Sequence, residues 1–145
     1  MTRWTLALAA AIAICTQPVR AHHSIYGIYD RSHPATLEGT VAEFQLINPH
    51  PFLFLDVAGA SGAAERWRLE MDNRTELADI GVTASTFKPG DRVVVTGSLA
   101  RTQPRSLYLL RLDRSSDGFW YEQVGSSPRI GRAADADRRP PRPRR

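Results

Sequence analysis

From Thr36 to Leu112 five separate stretches have the pattern of strands, with apolar residues alternating along one face or running along both, and they are interrupted once by a short stretch of helical period. Strands of that kind each have one face to bury, and in a chain this short they must bury it against one another. The fold is therefore confined to a small β architecture, closed on itself or packed in two layers. The first stretch, Thr36 to Leu46, sets Leu37, Gly39 and Val41 against Thr36, Glu38 and Thr40. Gly39 predicts a sharp bend. Phe44 and Leu46 fall out of phase with Val41, so one extra residue near Ala42 or Glu43 predicts a β-bulge that restores the inward face.

The second stretch, Phe52 to Val57, is apolar on both faces, and the third, Glu65 to Met71, opposes Trp67, Leu69 and Met71 to Arg66, Arg68 and Glu70, with a loop from Ala58 to Ala64 between them. Asn73 followed by Glu76 predicts a capped helix, Leu77 and Ile80 share its apolar face, and Gly81 ends it. Lys88-Pro89-Gly90-Asp91 has the chemistry of a type II turn, with glycine at the position of positive φ. Val93 to Thr96 and Ser106 to Leu112 supply two more strands, and Phe119-Trp120-Tyr121 adds a docking strand or caps an open end. Three strands, a helix and two strands, with a bent first strand, predict an all-β fold with one short helix. The expected form is a five-stranded OB-like Greek-key barrel, with an SH3-like barrel or a small β-sandwich as alternative.

Residues 1–21 have the three-part layout of a secretory leader: a basic start at Arg3, an apolar run from Leu6 to Cys15, and small residues Val19 and Ala21 before a cut after Ala21. The mature chain then begins His22-His23-Ser24 and is periplasmic or secreted. Cys15, the only cysteine of the chain, leaves with the leader, and Ile14 stands before it where lipid modification takes a small residue. Neither a disulfide scaffold nor thiol chemistry survives this step. Residues 22–125 form the single expected domain, with ten basic against thirteen acidic residues, whereas residues 126–145 carry seven arginines against two aspartates. The last segment is rich in arginine and proline and poor in large apolar residues, so it reads as a disordered, solvated tail, with salt-sensitive contact to anionic surfaces as the alternative. An acidic body in an exported chain argues against nucleic acid as partner.

The four histidines are His22, His23, His33 and His50. Cleavage after Ala21 gives His22 a free amine beside its own ring, and an α-amine (about 7.7–8.0) and an imidazole (about 6.5) both lose their protons at modest cost near neutral pH. His22 is then a ready chelating unit, with His23 adjacent. His50, in Asn48-Pro49-His50-Pro51, lies where prolines stiffen a loop between two strands, and it is the distant partner expected to complete a metal site. Nitrogen ligation and affinity order favour copper as the cofactor. His33 reads as a loop residue.

Catalytic patterns are lacking. No nucleophile elbow is present, and Glu43, Asp56, Glu70 and Asp72 have no paired-acid spacing and read as a solvated barrel face. Phe52, Phe54, Trp67 and Tyr108 are able to stack on a flat ligand, but aromatics alternating in strands are expected in the core.

Four segments, Ala21-His22-His23-Ser24, Leu37-Glu38-Gly39-Thr40-Val41, Asn48-Pro49-His50 and Lys88-Pro89-Gly90-Asp91-Arg92-Val93, together resemble a family of small exported bacterial proteins known as domain of unknown function 6152. The resemblance runs from about Ala21 to Leu112. Pro51 departs from that pattern, in which an apolar residue follows the histidine. The resemblance implies export and a single β domain, and its shared histidines strengthen the metal reading. The expected function is an exported, non-enzymatic binding module with His22, His23 and His50 as metal ligands. The alternative is a metal-free envelope accessory protein that binds a protein or glycan partner. A copper redox enzyme with an open coordination position ranks third.

Overall fold

A computed structural model describes residues 25–133 of the chain. The expected leader and the two candidate ligands His22 and His23 lie outside the described residues. The elements run α1 (Ile25–Ile28), β1 (Tyr29–Gln45), β2 (Phe52–Ala58), β3 (Ala64–Glu70), α2 (Arg74–Asp79), β4 (Arg92–Ala100), β5 (Ser106–Arg114), β6 (Phe119–Val124) and β7 (Ser127–Gly131). No helix among them is long and apolar enough to cross a membrane.

The strands pair in the order β3-β2-β1-β4-β5-β6-β7, and a parallel pairing of β3 with β5 closes the first five into a barrel. Closure with the helix placed between β3 and β4 is the expected OB-like Greek-key arrangement. The alternative sandwich and SH3-like forms do not describe it. Beyond the barrel, Arg111 to Arg114 of β5 pair with β6 on the edge whose earlier residues, Ser106 to Tyr108, pair with β3. The β6–β7 hairpin thus extends the sheet where β3 leaves it.

The predicted bulge is present, because the β1–β2 register shifts between Val41 and Glu43. With one residue extra, Val41 is buried and Phe44 packs on the same core. Asn73 caps α2 by accepting from the Glu76 backbone N–H at 2.9 Å, and Leu77 on its inner face is fully buried. Gly81 and Gly90 take positive φ (91° and 94°), as the helix end and the type II turn require. Leu53, Leu55, Leu69, Leu107, Leu109 and Leu112 are fully buried together with Val95 and Tyr121. Each such leucine contributes roughly 1.5–3 kcal/mol, so packing holds the barrel without a disulfide.

Two expectations are corrected. The first strand begins at Tyr29, seven positions before Thr36, because the last part of β4 offers it a partner, with Tyr29 opposite Ala100. The ordered body also continues past residue 125: β7 pairs with β6 from Val124↔Ser127 to Trp120↔Gly131, and Ile130 packs against the core. The expected tail boundary at 126 therefore moves to the end of this hairpin, and residues 134–145 lie outside the described residues.

Candidate functional site

His50 sits in the β1–β2 loop, between the end of β1 at Gln45 and the start of β2 at Phe52. Its Nδ1 faces the Met71 carbonyl oxygen at 3.2 Å and the Glu70 carboxylate at 3.9 Å. Both are acceptors, so in the neutral ring it is Nδ1 that carries the proton and Nε2 that keeps its lone pair. The side chain is 31% exposed, enough for a ligand to reach the ring. Glu70 stands at the end of β3 and is held from its other oxygen by the Tyr29 hydroxyl, which donates to Oε2 at 2.6 Å. Tyr29 is buried and opens β1, so the point where the chain enters the barrel is tied, through Glu70, to His50. Burial, reinforced by the Glu70 carboxylate, raises the Tyr29 hydroxyl well above the usual phenol range, which keeps it a donor.

A second layer of polar groups lies beside these. The Tyr108 ring centroid is 5.7 Å from that of Tyr29, and its hydroxyl is raised mainly by burial and then by Asp72 and Glu70. The Tyr121 hydroxyl, raised chiefly by burial, donates to Gln123 Oε1 at 2.7 Å, and Gln123 Nε2 donates in turn to Asp72. Glu76 is raised by burial and by the neighbouring Asp72 carboxylate. A cavity of about 350 Å³ opens over this layer, lined by Asp72, Tyr108 and Gln123 and, from α1, by Ile25. His22 precedes Ile25 by three residues, at most about 11 Å of extended chain.

The structure thus brings His50 together with Glu70 and Tyr29 and leaves His33 elsewhere, in an exposed bulge of β1 with Asp30 and Ser32. No three His, Cys, Asp or Glu side chains among the described residues form a metal-holding group. A complete ligand set would therefore need donors from outside them.

Sequence reasoning misplaced several side chains here. Glu70 and Asp72 are not a solvated face, since one is bound by a buried tyrosine and the other is itself buried and bound by Gln123. Tyr108 is buried, though it packs on Tyr29 and lines the cavity instead of joining Leu107 and Leu109 in the core, and Trp67 packs partly against the core. Phe52 and Phe54, also expected in the core, point outward and are half-buried, because Leu53 and Leu55 occupy the interior. Their rings lie 6.5 Å apart, and the Arg68 guanidinium sits 5.0 Å from the Phe52 centroid and bonds to Gln103. The run of apolar residues on both faces of this strand was the signal, but it did not say which face was inside.

The model of a family of unknown function, DUF6152, matches residues 10–106. No curated protein and no solved structure matches the chain.

Proposed function

This chain belongs to the family of unknown function DUF6152, and from that premise we propose that it is an exported, non-enzymatic binding module that coordinates a transition metal, copper by preference, through His22, His23 and His50. The observation that carries the reading is the setting of His50. Its Nδ1–H is directed at the Met71 carbonyl beside Glu70, which leaves Nε2 as an oriented donor. Ligating imidazoles are commonly held in this way by a carbonyl or carboxylate behind the ring. The barrel supplies one positioned nitrogen, and the mature N-terminus, which precedes Ile25 in the chain, supplies the amine and imidazoles of His22 and His23. Copper(II) suits such a nitrogen set. Export follows from the leader layout of residues 1–21.

The test is native and denaturing mass spectrometry of protein exported through its own leader, read for the mature N-terminus and for bound copper or zinc. A chain beginning at His22 with one metal per chain is expected. His50→Ala, or one residue added ahead of His22, should each weaken copper binding more than about ten-fold while unfolding stays cooperative, and Glu70→Gln, which removes the nearby negative charge but leaves the Met71 carbonyl holding the ring, should weaken it by less than about ten-fold. Unchanged affinity in the first two variants refutes the site.

A second reading, an accessory protein that binds an envelope glycan or protein without metal, is favoured by the outward Phe52 and Phe54 on the β2–β3 face. In OB-type barrels this face and the adjoining β1–β2 and β4–β5 loops carry ligands. Under this reading Phe52→Ala with Phe54→Ala reduces retention on immobilised envelope polysaccharide, whereas His50→Ala leaves it intact. The arginines of residues 134–145 add salt-sensitive attraction to anionic surfaces, so their removal lowers retention at low salt without shifting unfolding.

A further inference from the structure

A cleft of about 610 Å³ opens where the loop between α2 and β4 meets the end of β5 and the β6–β7 hairpin. Its size is that of a small-ligand site. Arg114 at its base lies six residues along β5 from Tyr108, roughly 20 Å of strand, so the cleft is separate from the surroundings of His50.

The cleft contains two carboxylates, one fully used and the other engaged through one oxygen. Asp117 accepts four hydrogen bonds: Arg114 Nε (2.9 Å) and the Phe119 backbone N–H (3.1 Å) on one oxygen, Arg114 Nη2 (3.0 Å) and Arg132 Nη1 (2.7 Å) on the other. A carboxylate has about four acceptor positions, so none is left for a ligand. Asp91 accepts from Arg114 Nη1 at 2.6 Å and from the Lys88 backbone N–H at 3.0 Å. Both of these bonds fall on Oδ2, so Asp91 Oδ1 keeps acceptor capacity, and the rest of the unspent capacity consists of donors. Among the described residues no acceptor holds the Lys88 ammonium, which lines the cleft and is exposed. Thr83 and Ser85 line it as well, and their hydroxyls are hydrogen-bonded to each other at 3.0 Å, so the pair has one proton left to donate. Lys88, Arg114 and Arg132 against Asp91 and Asp117 leave one net positive charge. Arg114, with a side chain only 10% exposed, fixes both carboxylates in place, so a ligand would meet a prearranged wall.

We propose that this cleft is an oxyanion site, taking the carboxylate, phosphate or sulfate group of a small polar ligand, with the Lys88 ammonium as its charge partner and the hydrogen-bonded Thr83–Ser85 hydroxyl pair as a further donor. The group can arrive as a free inorganic anion or as an acidic sugar unit, and the chemistry is shared.

The test is a titration of ¹⁵N-labelled protein at low salt, followed by amide chemical shifts, with inorganic phosphate in one arm and a galacturonate oligomer in the other. Saturable shifts centred on Thr83 to Lys88 and on Arg132 are expected in at least one arm. Response to phosphate alone identifies the free anion, and response to the oligomer alone identifies an acidic saccharide. Lys88→Ala should weaken binding roughly ten-fold, Lys88→Glu should abolish it, and Lys88→Arg should restore most of it. The exposed side chain makes all three variants fold like the parent, which the same spectra report. Absence of saturable shifts in both arms, or equal affinity in Lys88→Glu, overturns the proposal.

Discussion

Replacing Arg114 with methionine removes the side chain that joins the end of β5 to the two turns beside it. Its guanidinium donates to Asp117 at 2.9 and 3.0 Å, to Asp91 at 2.6 Å and to the Thr86 carbonyl at 2.7 Å, and it lies 4.9 Å from the Phe119 ring centroid. Methionine keeps most of the apolar stem, so the loss comes from charge pairing rather than from a cavity. Breaking a buried pair from one side costs about 3–5 kcal/mol. Asp91 and Asp117 keep 21% and 33% side-chain exposure, so water takes over part of the pairing, and the loss should fall near the lower end, about 3 kcal/mol. In a domain of this size that corresponds to a fall of roughly 15 °C in melting temperature. The pH dependence has a definite sign. Arg114, ahead of the Phe119 backbone N–H and Arg132, holds the Asp117 carboxyl well below the usual carboxylate range. A depressed folded-state pKa gives stability that is present above the unfolded value, about 3.9, and is lost as pH falls through the folded one. In the variant that share is already gone, so the gap between parent and variant narrows as pH drops from about 5 toward 2. Urea unfolding followed by tryptophan fluorescence across that range measures both quantities. A neutral-pH loss below about 1 kcal/mol, the level of a surface pair, or a gap that stays constant into acid, would refute the reasoning.

Three further outcomes are expected. In Gly97→Ala the new methyl group meets the Tyr108 carbonyl oxygen and the Leu107 side chain inside the β4–β5 ladder, so stability should fall by more than about 2 kcal/mol in urea unfolding. Asn73→Ala removes the α2 cap and should cost about 1 kcal/mol, with Asn73→Asp recovering most of it in thermal melts. Tyr29→Phe leaves Glu70 without its buried donor and should cost about 1–3 kcal/mol of stability by the same measure; amide exchange should rise at the start of β1, where a mere surface change would leave it untouched.

The candidate site was half legible. A histidine between two prolines in a loop between strands was visible as a candidate, but its neighbours were not. Glu70 reads in sequence as one more polar residue on the outward face of β3, and Tyr29 lies ahead of Thr36, where the first legible strand begins. Their bond joins residues 41 positions apart, and no local pattern records it. The Arg114 network is similar, since it gathers Thr86, Asp91 and Asp117 from three segments whose individual signals are those of turns.

What the sequence determined by itself was everything that depends on a few consecutive residues. The period of the strands, the slip between Val41 and Glu43, the Asn73 cap and the Gly90 turn are each set by backbone sterics and hydrogen bonds within one short segment, and they suffice to order three strands, a helix and two strands. The tertiary structure decided what required a partner. Tyr29 to Ala35 became strand because β4 lay alongside to bond it, and Ser127–Gly131, which reads as tail, became strand because β6 offered an open edge. Closure of β3 on β5 gave the barrel a single interior. That interior admitted Leu53 and Leu55 and turned Phe52 and Phe54 outward, a choice between two apolar faces that only contacts from distant segments can make.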